Sequence, residues 1–287
     1  VTEEKHQKSL THPSSDIGRR TSDFGPRPLD IGLMNGRYLY CIVKGSENVD
    51  FGRIGIEDNE VYTIPYSDLC AVVHGCPAAP YQSEDQEVVK HWVVKHQEVV
   101  DEAWERFGTV IPIGFDTIIQ GNEVAGPEEN MKAWLKEDYE NLKAKMEKVR
   151  GRAEYGVQVF WDAKVMAQKI TEESLEVKQL EEEVKSKPRG LAYMYRQKLE
   201  GLLRKEIEDR ADRYFKEFYE KITPHADDIR VEKTKKTEDE DEQMLLNLSC
   251  LLPKEGSKGL GEELEKIDAL EGFSVRYTGP WPPYSFV

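Results

Sequence analysis

Residues 155–222 constrain the fold most. Tyr155-Gly-Val-Gln-Val-Phe-Trp161 alternates apolar and polar side chains, which predicts a strand. Helical periodicity follows, interrupted at Lys187-Pro-Arg-Gly190. Before that break, Val165, Lys169-Ile170, Val177, Leu180 and Val184 fall near one side of a helix that Asp162 is placed to cap and that runs to about Lys185. After it, Tyr195, Leu199, Leu202, Ile207, Ala211, Tyr214, Phe218 and Ile222 mark a second helix, from about Leu191 to Ile222. A short loop between two long amphipathic helices predicts an antiparallel pair.

Downstream, Asp228-Ile-Arg-Val231 predicts a short strand, and Met244-Leu-Leu-Asn-Leu-Ser-Cys-Leu-Leu252 a buried one. Residues 261–270 predict a helix, and Phe273-Ser-Val-Arg-Tyr277 a last strand. The order strand, helix pair, strand, strand, helix, strand is the βαββαβ order of a ferredoxin-like domain whose first crossover is enlarged into a helical hairpin.

The first half predicts strands over Tyr38–Val43, Val61–Ile64 and Leu69–His74. The continuous apolar run Tyr38-Leu-Tyr-Cys-Ile-Val43 suits a strand buried on both faces. A helix from about Glu84 to Phe107 follows, with Ser83 as its cap and Gly108 as its stop. A short strand over Thr109–Phe115 carries Pro112, which suits an edge. One helix is expected from about Glu128 to Arg150. The fold class is therefore α+β, in two domains. The expected organisation is a disordered leader over 1–36, an N-terminal α+β domain over 37–150, the ferredoxin-like domain with its long helix pair over 151–278, and a Pro/aromatic tail over 279–287. Phe24 is the anchor if the leader is instead a docking peptide.

The 287 residues hold 55 Asp and Glu against 40 Lys and Arg, a net charge of −15. That charge opposes general binding to phosphate backbones or anionic lipid surfaces, so neither a nucleic acid nor a lipid membrane is an expected partner. Four irregularly spaced cysteines read as reduced cytosolic thiols rather than a disulfide framework.

The chain carries no GxSxG elbow, no P-loop and no Rossmann fingerprint, so no cofactor is expected. The best metal candidate is Cys70, His74 and Cys76, with His91 or His96 downstream. Cys70 and His74 would share one face of a strand, but no CxxC pair accompanies them. His96 lies on an apolar helical stripe, where a hydrogen-bonded core histidine is the plainer reading. A metal-dependent or small-molecule enzyme using this cluster is the alternative to a non-enzymatic protein.

The tail, Gly279-Pro-Trp-Pro-Pro-Tyr-Ser-Phe-Val287, joins rigid prolines to large apolar faces. Trp281, Pro282, Pro283, Tyr284 and Phe286 are candidate partner contacts. The other reading is that they fold back over their own domain.

These segments resemble the gas vesicle protein GvpL/GvpF family. The resemblance rests on Arg37-Tyr-Leu-Tyr-Cys-Ile-Val43, Tyr66-Ser-Asp-Leu-Cys-Ala-Val-Val-His74, His96-Gln-Glu-Val-Val100, Gly156-Val-Gln-Val-Phe-Trp161, Asn247-Leu-Ser-Cys-Leu-Leu-Pro253 and, most specifically, Gly279-Pro-Trp-Pro-Pro-Tyr-Ser-Phe286. It covers about Arg37 to Val287. One departure is Gly114-Phe-Asp-Thr117, where the family has an Arg-Phe-Gly-Thr-like run. The resemblance implies a non-enzymatic accessory or minor structural protein at the cytoplasmic gas vesicle. It further implies binding of the hydrophobic shell protein, and of other gas vesicle accessory proteins, that limits shell aggregation during nucleation.

Overall fold

The strand β1 (Gly36–Lys44) organises the first sheet, because nearly every side chain along it is buried. The computed structural model describes residues 35–287 apart from 238 and 240. The leader expected over 1–36 lies outside the described residues up to residue 34, and Gly36 already opens β1. The described residues fall in one compact unit.

The first sheet also holds β2 (Asp50–Gly52), β3 (Val61–Tyr66), β4 (Leu69–Cys76), β5 (Val110–Pro112) and β6 (Ile118–Gln120). Its order is β2-β3-β4-β1-β5, and β6 pairs with the start of β1. Tyr38 and Tyr40 alternate with Leu39, and a register shift between Leu39 and Cys41 then turns Ile42 to the Leu39 face and Cys41 and Val43 to the tyrosine face. Helix α1 (Gln86–Phe107) covers the first face through Trp92, Val99, Val100 and Ala103. Helices α2 (Pro127–Glu137) and α3 (Tyr139–Val149) cover the second through Met131, Leu135, Leu142 and Met146. Pro112 ends a three-residue edge strand, where its missing N–H costs no ladder bond.

The second sheet is β7 (Arg152–Asp162), β8 (Asp228–Val231), β9 (Glu242–Pro253) and β10 (Phe273–Trp281), in the order β10-β7-β9-β8, all neighbours antiparallel. Between β7 and β8 come α4 (Ala163–Glu173), α5 (Leu175–Ser186) and α6 (Arg189–Ile222). Helix α7 (Ser257–Asp268) joins β9 to β10. Helices α6 and α7 cover one sheet face, burying Phe218, Ile222, Leu260, Leu264 and Ile267 against Val157, Leu246 and Leu248. The observed fold is thus mixed helix and sheet of α+β type.

Two expected single helices are broken. Asp138 leaves helical backbone between α2 and α3, and its carboxylate accepts from the Asn141 amide at 3.0 Å. Ser174 is extended between α4 and α5 and accepts from Val177 N–H at 3.4 Å. Short polar side chains compete for backbone and nearby donors in this way, which favours caps over helix interiors. The cap of α1 is Asp85 rather than Ser83, and it accepts from Glu87 N–H at 2.9 Å. Asp162 caps α4 as expected, accepting from Lys164 and Val165 N–H at 2.8 and 3.0 Å.

Candidate functional site

Strand β10 carries the chain past the expected start of the tail to Trp281, opposite Glu154 of β7. Pro282 and Pro283 are buried, and a short 3-10 turn over Tyr284–Phe286 follows. Phe286 is 2% exposed and packs with Val149 of α3, Leu251 of β9 and Val287. Lys148 and Arg230 lie over its ring at 5.5 and 5.7 Å. Ser285 donates its N–H to Glu154 Oε2 at 2.7 Å and its hydroxyl to Oε1 at 2.6 Å. Tyr284 packs on the α1 face of the first sheet, and burial pushes its phenol up from the ordinary value.

The tail therefore ties the first core to the second sheet. Of the five candidate contacts, Pro282, Pro283 and Phe286 face the interior and Tyr284 is half-buried. Trp281 stands out, 47% exposed. Its indole is a ridge between two clefts. One, of ≈ 400 Å³, is lined by Asp101, Trp104, Glu105, Lys254, Pro280 and Trp281. The other, of ≈ 490 Å³, has Gly156, Gln158, Asn247 and Ser249 among its lining, with Lys233 and Lys235 of the loop between β8 and β9.

The first cleft combines indoles with carboxylates. Lys254 Nζ sits 3.8 Å from the centre of the Trp104 ring and donates to Gly108 O at 3.1 Å. Burial holds this ammonium below the usual lysine range. Asp101 is raised above the usual carboxylate range, first by burial and then by Glu105 and Glu98, against the Gln97 amide that donates to it at 2.9 Å. Sequence reasoning missed Trp104, Asp101 and Lys254. The spacing read for α1 did not single out Trp104, although the residue packs against both cores, and Lys254 carried no pattern at all.

The proposed metal cluster does not assemble. Cys70, His74 and Cys76 do share the α1 face of β4, as their spacing requires. However, Cys70 and His74 are four residues apart, on the order of 13 Å along a strand, too far to share one ion. Both His74 nitrogens are also engaged: Tyr40 Oη is 2.7 Å from Nδ1 and Tyr81 Oη is 2.9 Å from Nε2. Among the described residues no three His, Cys, Asp or Glu side chains come together as a metal group.

These histidines form a closed network instead. Tyr40 Oη accepts from Ile56 N–H at 3.0 Å, so its own proton goes to His74 Nδ1. Tyr38 Oη accepts from Asp116 N–H at 2.9 Å and donates to His96 Nδ1 at 2.9 Å. His96 Nε2 then donates to Ile113 O at 3.0 Å. Every ring nitrogen is satisfied with both imidazoles neutral. Burial lowers both to about 4, with Arg37 adding to the effect at His74.

A model of the gas vesicle synthesis protein GvpL/GvpF family matches residues 36–287. Gas vesicle protein L1 of Halobacterium salinarum is 31% identical over 261 residues, covering 88% of this chain and 91% of that protein. Gas vesicle protein L of Haloferax mediterranei is 27% identical over 295 residues, covering 91% and 90%. Among solved structures, gas vesicle protein GvpF from Anabaena sp. PCC7120 superposes with a TM-score of 0.71 at 22% identity. That match covers 88% of this chain and 98% of that one, a likeness of fold.

Proposed function

The chain belongs to the gas vesicle synthesis protein GvpL/GvpF family, and from that premise we propose that it is a non-enzymatic accessory protein that binds the hydrophobic shell protein and limits its aggregation while a vesicle nucleates. Family membership gives it a role connected with gas vesicles. The step to shell binding is ours, and Trp281 carries it. A rigid, half-exposed indole between two clefts is an anchor of the kind that dominates protein interfaces. The charge of −15 would keep a complex with an apolar subunit dispersed. The site of action in this reading is the gas vesicle in the cytoplasm.

A metal-dependent enzyme has no observation in its favour, since Cys70, His74 and Cys76 are spread along β4 and both ring nitrogens of His74 are bonded to tyrosines. The same reading takes residues 37–150 and 151–278 as two domains, the second ferredoxin-like. Separate cores for the two sheets support it, as does the strand order β10-β7-β9-β8 with helices after the first and third of its strands in sequence.

The test is co-purification of the full chain with the major shell protein. Recovery of the pair, reduced several-fold by Trp281→Ala with the fold intact, supports the proposal. A wild-type chain that recovers no shell protein, and does not slow its aggregation in light scattering, overturns it.

A further inference from the structure

Helix α6 is 34 residues long, about 51 Å at 1.5 Å per residue, but it meets the second core only from Ala211 onward. The preceding stretch packs mainly on α4 and α5, with Val177 and Ala192 buried. The helices thus form an arm about 30 Å long. Its tip reverses the charge of the molecule. Residues 184–199 hold five Lys and Arg and no acid, which leaves all 55 acids against 35 bases elsewhere. Lys185 pairs with Glu182 at 2.8 Å. Among the described residues, Lys187, Arg189, Arg196 and Lys198 make no ion pair. The tip also exposes Leu191, Tyr193 and Met194 by half or more.

This arrangement works against its own helix. The first turn of α6 has no acid and no side-chain cap, and it carries Arg189 at the positive end of the dipole. Lys187 and Lys198 stand over the Tyr195 ring at 5.4 and 5.3 Å, but Arg189 and Arg196 make no ion pair or ring contact among the described residues, and a local rule broken at Arg189 points to an external partner. The arm is several times longer than the ~8 Å Debye length at physiological salt, so the tip acts independently of the acidic body's field.

Complementary chemistry lies on the body. The ≈ 400 Å³ cleft beside Trp281 has room for more than one side chain, between two indoles and two carboxylates. Its Asp101 and Glu105, with Glu102 one residue on, make no ion pair among the described residues. Trp104 already holds one ammonium against its ring, the contact that an arriving arginine would make with Trp281.

We propose that the arm tip docks into the Trp281 cleft of a second copy of this chain. The two surfaces differ, so the contact is head to tail and builds open chains or rings. It can fail while the shell-protein reading stands, and a shell subunit at Trp281 would compete with it.

Sedimentation velocity of the full chain tests this. Salt-dependent oligomers are expected at about 50 mM NaCl, with an apparent dissociation constant at least about tenfold higher at about 500 mM. The triple variant Lys187→Glu, Arg189→Glu, Arg196→Glu should be monomeric, and so should Asp101→Lys, Glu105→Lys. Mixing the two variants should restore association at equimolar stoichiometry, because an acidic tip then meets a basic cleft and a basic tip an acidic one. The tip variant places acids at a helix N-terminus, which favours folding, and Trp281→Ala is a second cleft variant. Three results would overturn the proposal: a monomer at both salts, a tip variant that associates like wild type, or reversed variants that do not pair. A monomer that floats with phosphatidylserine vesicles would assign the tip to lipid instead.

Discussion

Replacing Phe286 by alanine separates the two roles open to the tail. The ring is 2% exposed and packs between Val149 and Leu251, with Lys148 and Arg230 over its faces. Truncating a buried phenylalanine costs about 3–5 kcal/mol, to which each cation–π contact adds about 0.5–1 kcal/mol. Because Val149 belongs to α3 and Leu251 to β9, the loss falls on the junction between the two sheets. The total of about 4–7 kcal/mol, with a urea slope of about 2–3 kcal/mol per molar, moves the unfolding midpoint down by about 1.3–3.5 M. The matching variant is Trp281→Ala. Half of that indole already faces water, so about 1–2 kcal/mol is expected. The assay is urea unfolding followed by far-UV circular dichroism, run beside shell-protein capture. Phe286→Ala should lose stability. Trp281→Ala should lose capture at a stability cost well below that of Phe286→Ala. If Phe286→Ala costs less than about 1 kcal/mol yet abolishes capture, the ring is a contact residue and the tie between the sheets is refuted.

Stability should fall as pH drops from about 6.5 toward 4. His74 and His96 stay neutral in the folded chain, lowered to about 4 by burial, but take up protons in the unfolded chain below about 6.5. The unfolded state then binds more protons, and each histidine contributes a loss of up to about 3 kcal/mol across that window. His96→Gln should flatten the pH dependence of the urea midpoint below pH 6.5, and an unchanged dependence would contradict the assignment. Asp162→Ala removes the acceptor for the Lys164 and Val165 N–H groups and should cost about 1 kcal/mol in thermal unfolding. Gly279→Ala should cost about 2 kcal/mol or more, because φ is +117° and the new Cβ would lie 2.8 Å from Glu154 O. A wild-type melting temperature for that variant would count against this geometry.

Strand and helix types were legible where apolar spacing is unambiguous. The run Tyr38–Val43 reads as a doubly covered strand, and α1 and α2–α3 do cover its two faces. The breaks at Asp138 and Ser174 were not legible from spacing, because the apolar stripes continue in phase across them. They show only in single polar side chains that bond to nearby groups. The metal cluster failed for a related reason. A shared strand face brings Cys70 and His74 into line but leaves them four residues apart, and no one-dimensional pattern records that Tyr40 and Tyr81 already hold both nitrogens of His74. The cleft at Trp281 was half visible: the tail indole was singled out, whereas Asp101, Trp104 and Lys254 reach it from α1 and from the end of β9.

The tail string Gly-Pro-Trp-Pro-Pro-Tyr-Ser-Phe was the most specific segment of the family resemblance, and its geometry shows what such a string can specify. Pro282, Pro283 and Phe286 are interior, and Ser285 binds Glu154 through both its N–H and its hydroxyl. Those residues transmit the joining of the two sheets, which is a property of the fold. Of the five candidate contacts Trp281 is the exposed one, and its position depends on the others. The backbone pairing of β10 with β7 holds one side of it, and the buried proline pair holds the other. Anchoring an exposed indole on a rigid element lowers the entropy lost when a partner closes over it. It follows that loosening the tie should weaken partner binding even where the indole is untouched. Glu154→Ala, which removes the acceptor for Ser285, should lower capture by the shell protein more than its stability cost accounts for. Full capture by that variant would mean that Trp281 is positioned by its own strand alone.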